Sequence, residues 1–374
     1  MSELRQVAQA WDRLRAQQAT FFPDFQDLHD CVAVRQDRFL VLGVSEDDEM
    51  VSLCCFTVDK AQKRYTLGER QLFSLPLREA RLFGSAILGQ VDPTTFRAFM
   101  DITGRTLSFD LLAIGEVVID APLHMALLAL GKRYLVSSPS RKEATRWLIH
   151  LPDTFDAYLA SLGSKTRQMV KQAMRKIESG HQCDFQTISS PGQIAAFLRD
   201  GEAISRLTYQ WNVGQRLCND AATLASYRSQ AERARLRCHL LSVDGEPCSF
   251  SRGEIHGGIY SYHTPGFDPK YGKLSPGIVT LMFTIKDLIE NTACRTFDFG
   301  EGGDDVGYKS KFGNVSMSTR FIYVSSRIRP YAITLFLIQE VLTGVKNVLS
   351  RVVGNGEMRQ RLKRALRKYG SQPQ

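Results

Sequence analysis

Two mixed α/β halves, each a mixed and mostly antiparallel sheet flanked by helices, followed by a basic helical tail, are the architecture the 374 residues predict. Three observations lead there. Short apolar runs bounded by turn residues recur in both halves, each set of runs is broken by one loop-to-helix junction, and the positive charge gathers at the end of the chain. At about 150 residues per domain there is room for two domains and a remainder. The expected borders are 1–150, 151–328 and 329–374.

Residues 3–18 have the spacing of a short amphipathic helix. Strand patterns follow at 38–45 (RFLVLGVS), after an acidic turn at 50–58 (MVSLCCFTV), and at 71–75. A helical pattern covers 94–103, a strand 107–114 (LSFDLLAI) and a helix 123–131, and strands near 133–137 and 145–151 close the half. The second half opens with LPDTFDAYLASLGSKTRQMVKQAMRKIESG. There Met169, Val170, Ala173, Met174 and Ile177 keep helical spacing while Lys165, Arg167, Lys171, Arg175 and Lys176 fill other positions, a basic amphipathic helix ending at Gly180.

A second helical region spans 192–212. LRCHLLSV at 236–243, the turn Asp244-Gly245, PCSFSRGEI at 247–255, Gly257-Gly258 and IYSYHT at 259–264 then form a three-strand antiparallel meander. The loop PGFDPKYGKLSPG opens onto the helix IVTLMFTIKDLIE, and the strand CRTFDFG follows at 294–300. The first half repeats this order, with Phe109-Asp110 matching Phe297-Asp298, which reads as an internal duplication. The copies differ chemically: the first helix opens with Asp92-Pro93, whose carboxylate repels a phosphate, and the second with Ser275-Pro276-Gly277 and no acid.

Composition narrows the function. With 43% hydrophobic and 23% charged residues the chain is an ordinary globular one. Of the formal charge of +9, residues 329–374 hold nine Lys and Arg against Glu340 and Glu357, a net +7, so the body is nearly neutral. A basic tail on such a body argues against a nucleic-acid enzyme and for an appended surface element. The first 20 residues lack an apolar stretch, so a cytoplasmic protein is expected. Eight cysteines without a CxxC pair read as reduced thiols, and no metal site is expected. GxSxG is absent, which removes one nucleophile signature.

Two stretches carry candidate chemistry. At Lys273-Leu274-Ser275-Pro276-Gly277, an early proline costs no hydrogen bond, Gly277 permits close approach, and the helix start attracts a pyrophosphate; an ordinary N-cap by Ser275 is the competing reading. GEGGDDVGYKSKFG at 300–313 misses a Walker A loop because Tyr308 separates Gly307 from Lys309, and Glu301, Asp304 and Asp305 repel a triphosphate. What remains is a loop presenting a tyrosine and two lysines. Asp298 shares a strand face with Thr296, opposite Phe297 and Phe299, and is either a general base or a structural acceptor. Tyr260 and Tyr262 share another face, as packing aromatics more often do.

Taken together, LPDTFDAYLASLGSKTRQMVKQAMRKIE, RLTYQW at 206–211, HLLSVDGEPCSF, YSYHTPGFDPKYGKLSPG and FDFGEGGDDVGYKSKFGN resemble the CelD-like branch of the GNAT acyltransferase superfamily, which is related to the FemABX transferases. The resemblance covers about 150–325 well and the first half loosely. It implies tandem GNAT-like halves, the first degenerate, and an acyl-CoA co-substrate such as acetyl-CoA whose pyrophosphate sits at Lys273, Ser275, Pro276 and Gly277. It further implies an amine or glycan acceptor beside Trp211, Tyr262 and Glu301. In the resulting mechanism Asp298 is the base, Lys309 supports the oxyanion or the substrate, and Tyr308 protonates the thiolate. An aminoacyl-tRNA-dependent transferase and a non-catalytic assembly factor for exopolysaccharide are the alternatives. The tail, apolar and then basic, is too short in apolar length to span a bilayer and suits an anionic membrane surface; packing against the body is the other reading.

Overall fold

The structure, a computed structural model, describes residues 2–17, 23–28, 38–67, 70–138, 143–212, 216–302, 307–326 and 329–353. Asp304, Asp305 and the basic end of the tail lie outside the described residues. The chain divides into two compact units, the first within 1–18, 22–143 and 318–374, the second within 19–21 and 144–317.

In the first unit β1 (Arg38–Glu46), β2 (Glu49–Leu67) and β3 (Arg70–Leu82) form an antiparallel meander. The short β4 (Leu88–Gly89) pairs with β2, and β5 (Leu111–Val118) runs parallel to β3 after the Pro93–Thr106 helix has carried the chain back. That helix buries Phe96, Phe99, Met100 and Thr103, one helical face, against the sheet. β6 (Tyr134–Ser137) and the last strand, β13 (Val315–Ser326), complete the sheet, β13 lying antiparallel to both β5 and β6.

The strand expected from 107 starts at Leu111 instead. Leu107 closes the preceding helix by donating its N–H to Thr103 O (2.9 Å), and Ser108 takes φ +43°, so the chain turns before it extends. The Pro330–Val353 helix, the first part of the tail, packs on this unit, which agrees with the reading of it as a helix packed against the body: Ala332, Leu335 and Phe336 are buried, the last two in one cluster with Tyr65, Leu77 and Leu111.

The second unit orders its strands β7 (Ala144–His150), β12 (Thr296–Gly302), β11 (Ile259–Phe267), β10 (Glu246–His256), β9 (Cys238–Val243), β8 (Cys183–Ile188). β7, placed by the sequence at the end of the first half, pairs with β12. All neighbours are antiparallel except β11 and β12, which are joined by the Pro276–Asn291 helix as a parallel crossover. Strand alternation sorts the two faces. Tyr260, Tyr262, Phe297 and Phe299 share a cluster with Pro276–Asn291 residues such as Leu281 and Ile285, whereas Cys238, Leu240 and Phe250 meet the Ile194–Arg206 and Ala221–Glu232 helices.

Candidate active site

β11 and β12 pair only from Ile259↔Thr296 to Ser261↔Asp298. Beyond that point β11 runs on to Phe267 and β12 to Gly302, so the facing backbone groups of the two strands leave their shared ladder. Beside the unpaired part of β11 lies a cavity of about 420 Å³, lined by Tyr262, Gly266, Phe267, Ser275, Pro276, Gly277, Tyr308 and Lys311 among others. Its size is that of a small-molecule site, roughly 300–1,000 Å³.

One end of the cavity is the start of the Pro276–Asn291 helix. Asp268 accepts the Lys270 N–H (2.8 Å) and opens the Pro269–Leu274 turn, after which Ser275 adopts the left-handed conformation, φ +54° and ψ +47°. The Ser275 hydroxyl makes no cap hydrogen bond, so the ordinary N-cap reading does not describe it. Pro276 has no N–H, and while the Ile278 and Val279 N–H groups donate to Ser275 O (3.0 and 3.2 Å), the Gly277 amide belongs to the first turn, where the helix itself supplies it no acceptor. A Cβ on Gly277 would stand 3.3 Å from Phe267 Cδ1, tight enough to push the ring. The Lys273 carbonyl accepts from Lys176 Nζ (2.6 Å), which ties the basic Ser164–Glu178 helix to this turn. An uncapped helix start with a close backbone approach suits a phosphate group or another anion.

At the other wall Tyr308 lines the cavity, 44% exposed, its ring edge-on to Phe299 at 6.0 Å. Lys311 and Phe312 line it too, because residues three and four apart share a face of the short Lys309–Phe312 helix. Lys309 does not line the cavity. Its Nζ donates to Phe299 O (2.7 Å) and Gly300 O (3.5 Å), gripping the end of β12. Among the described residues the cation lining the cavity is therefore Lys311, which the sequence offered as one of two lysines in the loop and which the catalytic assignment passed over.

Asp298 is fully buried on the face of β12 opposite Phe297 and Phe299, as alternation required. Both carboxylate oxygens accept from Arg146 Nε (3.1 Å each), and Oδ1 also accepts the Gly300 N–H (2.8 Å). A general base needs a lone pair facing the proton it takes. With its oxygens held by a guanidinium and an amide, Asp298 fixes the strand end, and the base role given to it is corrected on that ground. Among the described residues no carboxylate or imidazole lines the cavity.

Tyr262 is buried in the cavity wall, and burial first, then the neighbouring Tyr308 and Tyr260, pushes its phenol well above the ordinary range. Trp211 lies outside the lining, under the guanidinium groups of Arg206 and Arg216 at 4.8 and 5.1 Å, while its neighbour Gln210 reaches the cavity. Glu301 is a β12 residue whose side chain lies outside the described residues.

Sequence reasoning missed a buried polar network under the same helix. His239 Nε2 meets Asp287 Oδ2 at 2.9 Å and its Nδ1 meets Ser251 Oγ and Thr284 Oγ1 at 3.2 Å, while Arg237 donates twice to Asp287 (2.6 and 2.7 Å). Burial pushes the Asp287 carboxyl up, but the hydrogen bonds from His239 and Arg237 outweigh it and hold the carboxyl well below the usual range. Ser251, His239 and Asp287 imitate a nucleophilic triad, yet all are buried and none lines the cavity. They anchor the later turns of the Pro276–Asn291 helix to β9 and β10, and so fix where its first turn points. Among the described residues no cluster of three His, Cys, Asp or Glu could hold a metal.

Residues 164–310 match the family described as Acetyltransferase (GNAT) domain. The second unit has the GNAT acetyltransferase fold. That domain is the domain of a transferase. The fold is similar to that of FemX, with a TM-score of 0.60 and 11% identity over 87% of this chain and 97% of that one. It is likewise similar to a conserved protein of unknown function from Bacteroides thetaiotaomicron, with a TM-score of 0.57 and 13% identity over 86% and 97%. No curated protein matches the sequence.

Proposed function

We propose that the protein is a CoA-dependent N-acyltransferase of the CelD-like type. It transfers an acyl group from an acyl-CoA such as acetyl-CoA to an amine, an amino sugar or a related intermediate of polysaccharide or envelope metabolism. The observation that carries this reading is the uncapped start of the Pro276–Asn291 helix at one end of the cavity, with Tyr308 and Lys311 at its wall. Ser275, Pro276 and Gly277 receive the diphosphate. Phe267 and Leu281 flank the apolar arm that leads to the thioester. The acceptor amine attacks the thioester carbonyl, the Lys311 ammonium offsets the growing negative charge, and the Tyr308 hydroxyl gives its proton to the leaving thiolate. The amine's proton passes to water at the mouth of the cavity, since no carboxylate or imidazole lines it among the described residues, and water there returns a proton to the Tyr308 phenolate. Lys309 acts as a positioning residue by holding the Phe299 and Gly300 carbonyls.

Calorimetric titration with acetyl-CoA and longer acyl-CoAs, repeated on Gly277→Glu, tests this. Saturable binding weakened by about a hundredfold or more in the variant is expected, from added charge at the diphosphate and a Cβ against Phe267. Absence of binding to every acyl-CoA would overturn it.

A second reading is favoured by one observation. Arg167, Lys171, Arg175 and Lys176 line a concave surface on the Ser164–Glu178 helix, which suits the phosphates of an aminoacyl-tRNA donor. Salt-sensitive binding of charged tRNA, with none of acyl-CoA, would select it. No binding of either donor would leave the non-catalytic assembly factor.

A further inference from the structure

The Pro330–Val353 helix is apolar on two sides. One side is inside the protein: Ala332, Leu335 and Phe336 are buried, and the Leu335 carbonyl accepts the Tyr65 hydroxyl at 3.1 Å. The other side faces solvent. Leu337 (61% exposed), Val341 (65%), Val345 (41%) and Val348 (59%) fall at helical spacing on a single stripe about 16 Å long. Thr334 and Gly344 fill the gaps, and no charged residue interrupts the stripe between 334 and 348. A helix facing only water carries polar residues there.

Charge selects the occupant. The stretch that bears this stripe, 329–374, holds nine Lys and Arg against two Glu. A second copy of the same helix would bring like charges together, whereas an anionic bilayer offers apolar depth to the stripe and phosphate charge to the basic residues. The helix is not long and apolar enough to cross a membrane, which leaves it lying in the interface plane. We infer that the Pro330–Val353 helix seats the protein on an anionic lipid surface through the Leu337–Val341–Val345–Val348 stripe. The inference is independent of the donor chosen by the cavity.

The test is flotation of the full chain with vesicles of phosphatidylcholine alone and of phosphatidylcholine with about one-quarter phosphatidylglycerol. Binding to the anionic vesicles, and little to the neutral ones, is expected. Val341→Asp and, separately, Leu337→Asp should lower the partition coefficient about tenfold or more, with the thermal midpoint unchanged because both side chains are exposed. Replacing Lys363 and Arg364 by Gln should weaken binding about fivefold for each charge removed. Failure to bind anionic vesicles, or binding that neither Asp variant reduces, would overturn the inference. So would a dimer in solution that Val341→Asp converts to a monomer, since the stripe would then be a contact between copies.

Discussion

In the first unit β1, β2 and β3 form an antiparallel meander, a helix follows, and β5 returns parallel to β3; in the second, β9, β10 and β11, a helix and β12 do the same. The two diverge at the first turn of the returning helix. In the first unit the Asp92 carboxylate accepts the Thr95 hydroxyl as well as the Thr94 and Thr95 N–H groups (2.8 and 3.1 Å), and the hydroxyl first, then those amides, holds its pKa below the usual value. The helix start is filled by its own side chain and carries a negative charge. In the second unit Ser275 swings into the left-handed region, its hydroxyl caps nothing, and a cavity lies against the turn. Identical topology thus yields one helix start closed by its own carboxylate and one left uncapped beside a cavity, and a single residue type at the N-cap makes the difference.

The matched carboxylates offer the largest expected contrast. Asp298→Ala removes the buried acceptor that the Arg146 guanidinium and the Gly300 N–H share, and should cost about 3–5 kcal/mol in urea unfolding. Asp110 accepts a backbone N–H from Arg78 (2.8 Å), and Asp110→Ala should cost about 1 kcal/mol. Equal costs would remove the distinction between the copies at this strand.

Next in size is Tyr308→Phe. The phenol is nearly half exposed, so stability should hold while kcat falls about a hundredfold, the usual weight of a proton donor. An unchanged kcat would reduce Tyr308 to a wall of the cavity.

Acid should act through the second unit. There His263, whose side chain is 33% exposed and whose Nε2 lies 3.6 Å from Glu254, has its pKa lowered from 6.5 to about 4 by burial and by Arg252, against the pull of Glu254 and Asp298. The unfolded chain binds that proton more readily, so the stability is full above the ordinary pKa and is lost as pH falls from 6.5 towards about 4. With part of the ring in solvent, the loss should be about 1–2 kcal/mol. His263→Gln should flatten this slope in urea midpoints taken across the window; an unaltered slope would assign it to other groups, the buried His239 first.

The smallest effect belongs to the filled helix start. Asp92→Ala should cost about 1 kcal/mol of stability and leave acyl-CoA titration unchanged. If it altered acyl-CoA affinity, the first unit would not be a purely structural copy.

Features that depend on neighbours in the chain were legible without coordinates. The meander, the parallel return, the basic helix that became Ser164–Glu178 and the contrast of Asp92 with Ser275 all follow from alternation, helical spacing and caps, which act over a few residues. Asp298 opposite Phe297 and Phe299 is of the same kind. β8 and the Ala221–Glu232 helix went unread: CDFQTI is half-exposed along most of its length, and AATLASYRSQAE has little apolar periodicity. Other decisions needed the tertiary structure. Arg146 reaches Asp298 across 152 positions, and His239 reaches Asp287 across 48. Register between strands and packing between helices create those pairs, and neither leaves a spacing in the sequence. The same holds for the choice of Lys311 over Lys309 and for the exposed stripe of the Pro330–Val353 helix. Which side chain meets a cavity, a carbonyl or water depends on what packs beside it, and that is set only when the chain has folded.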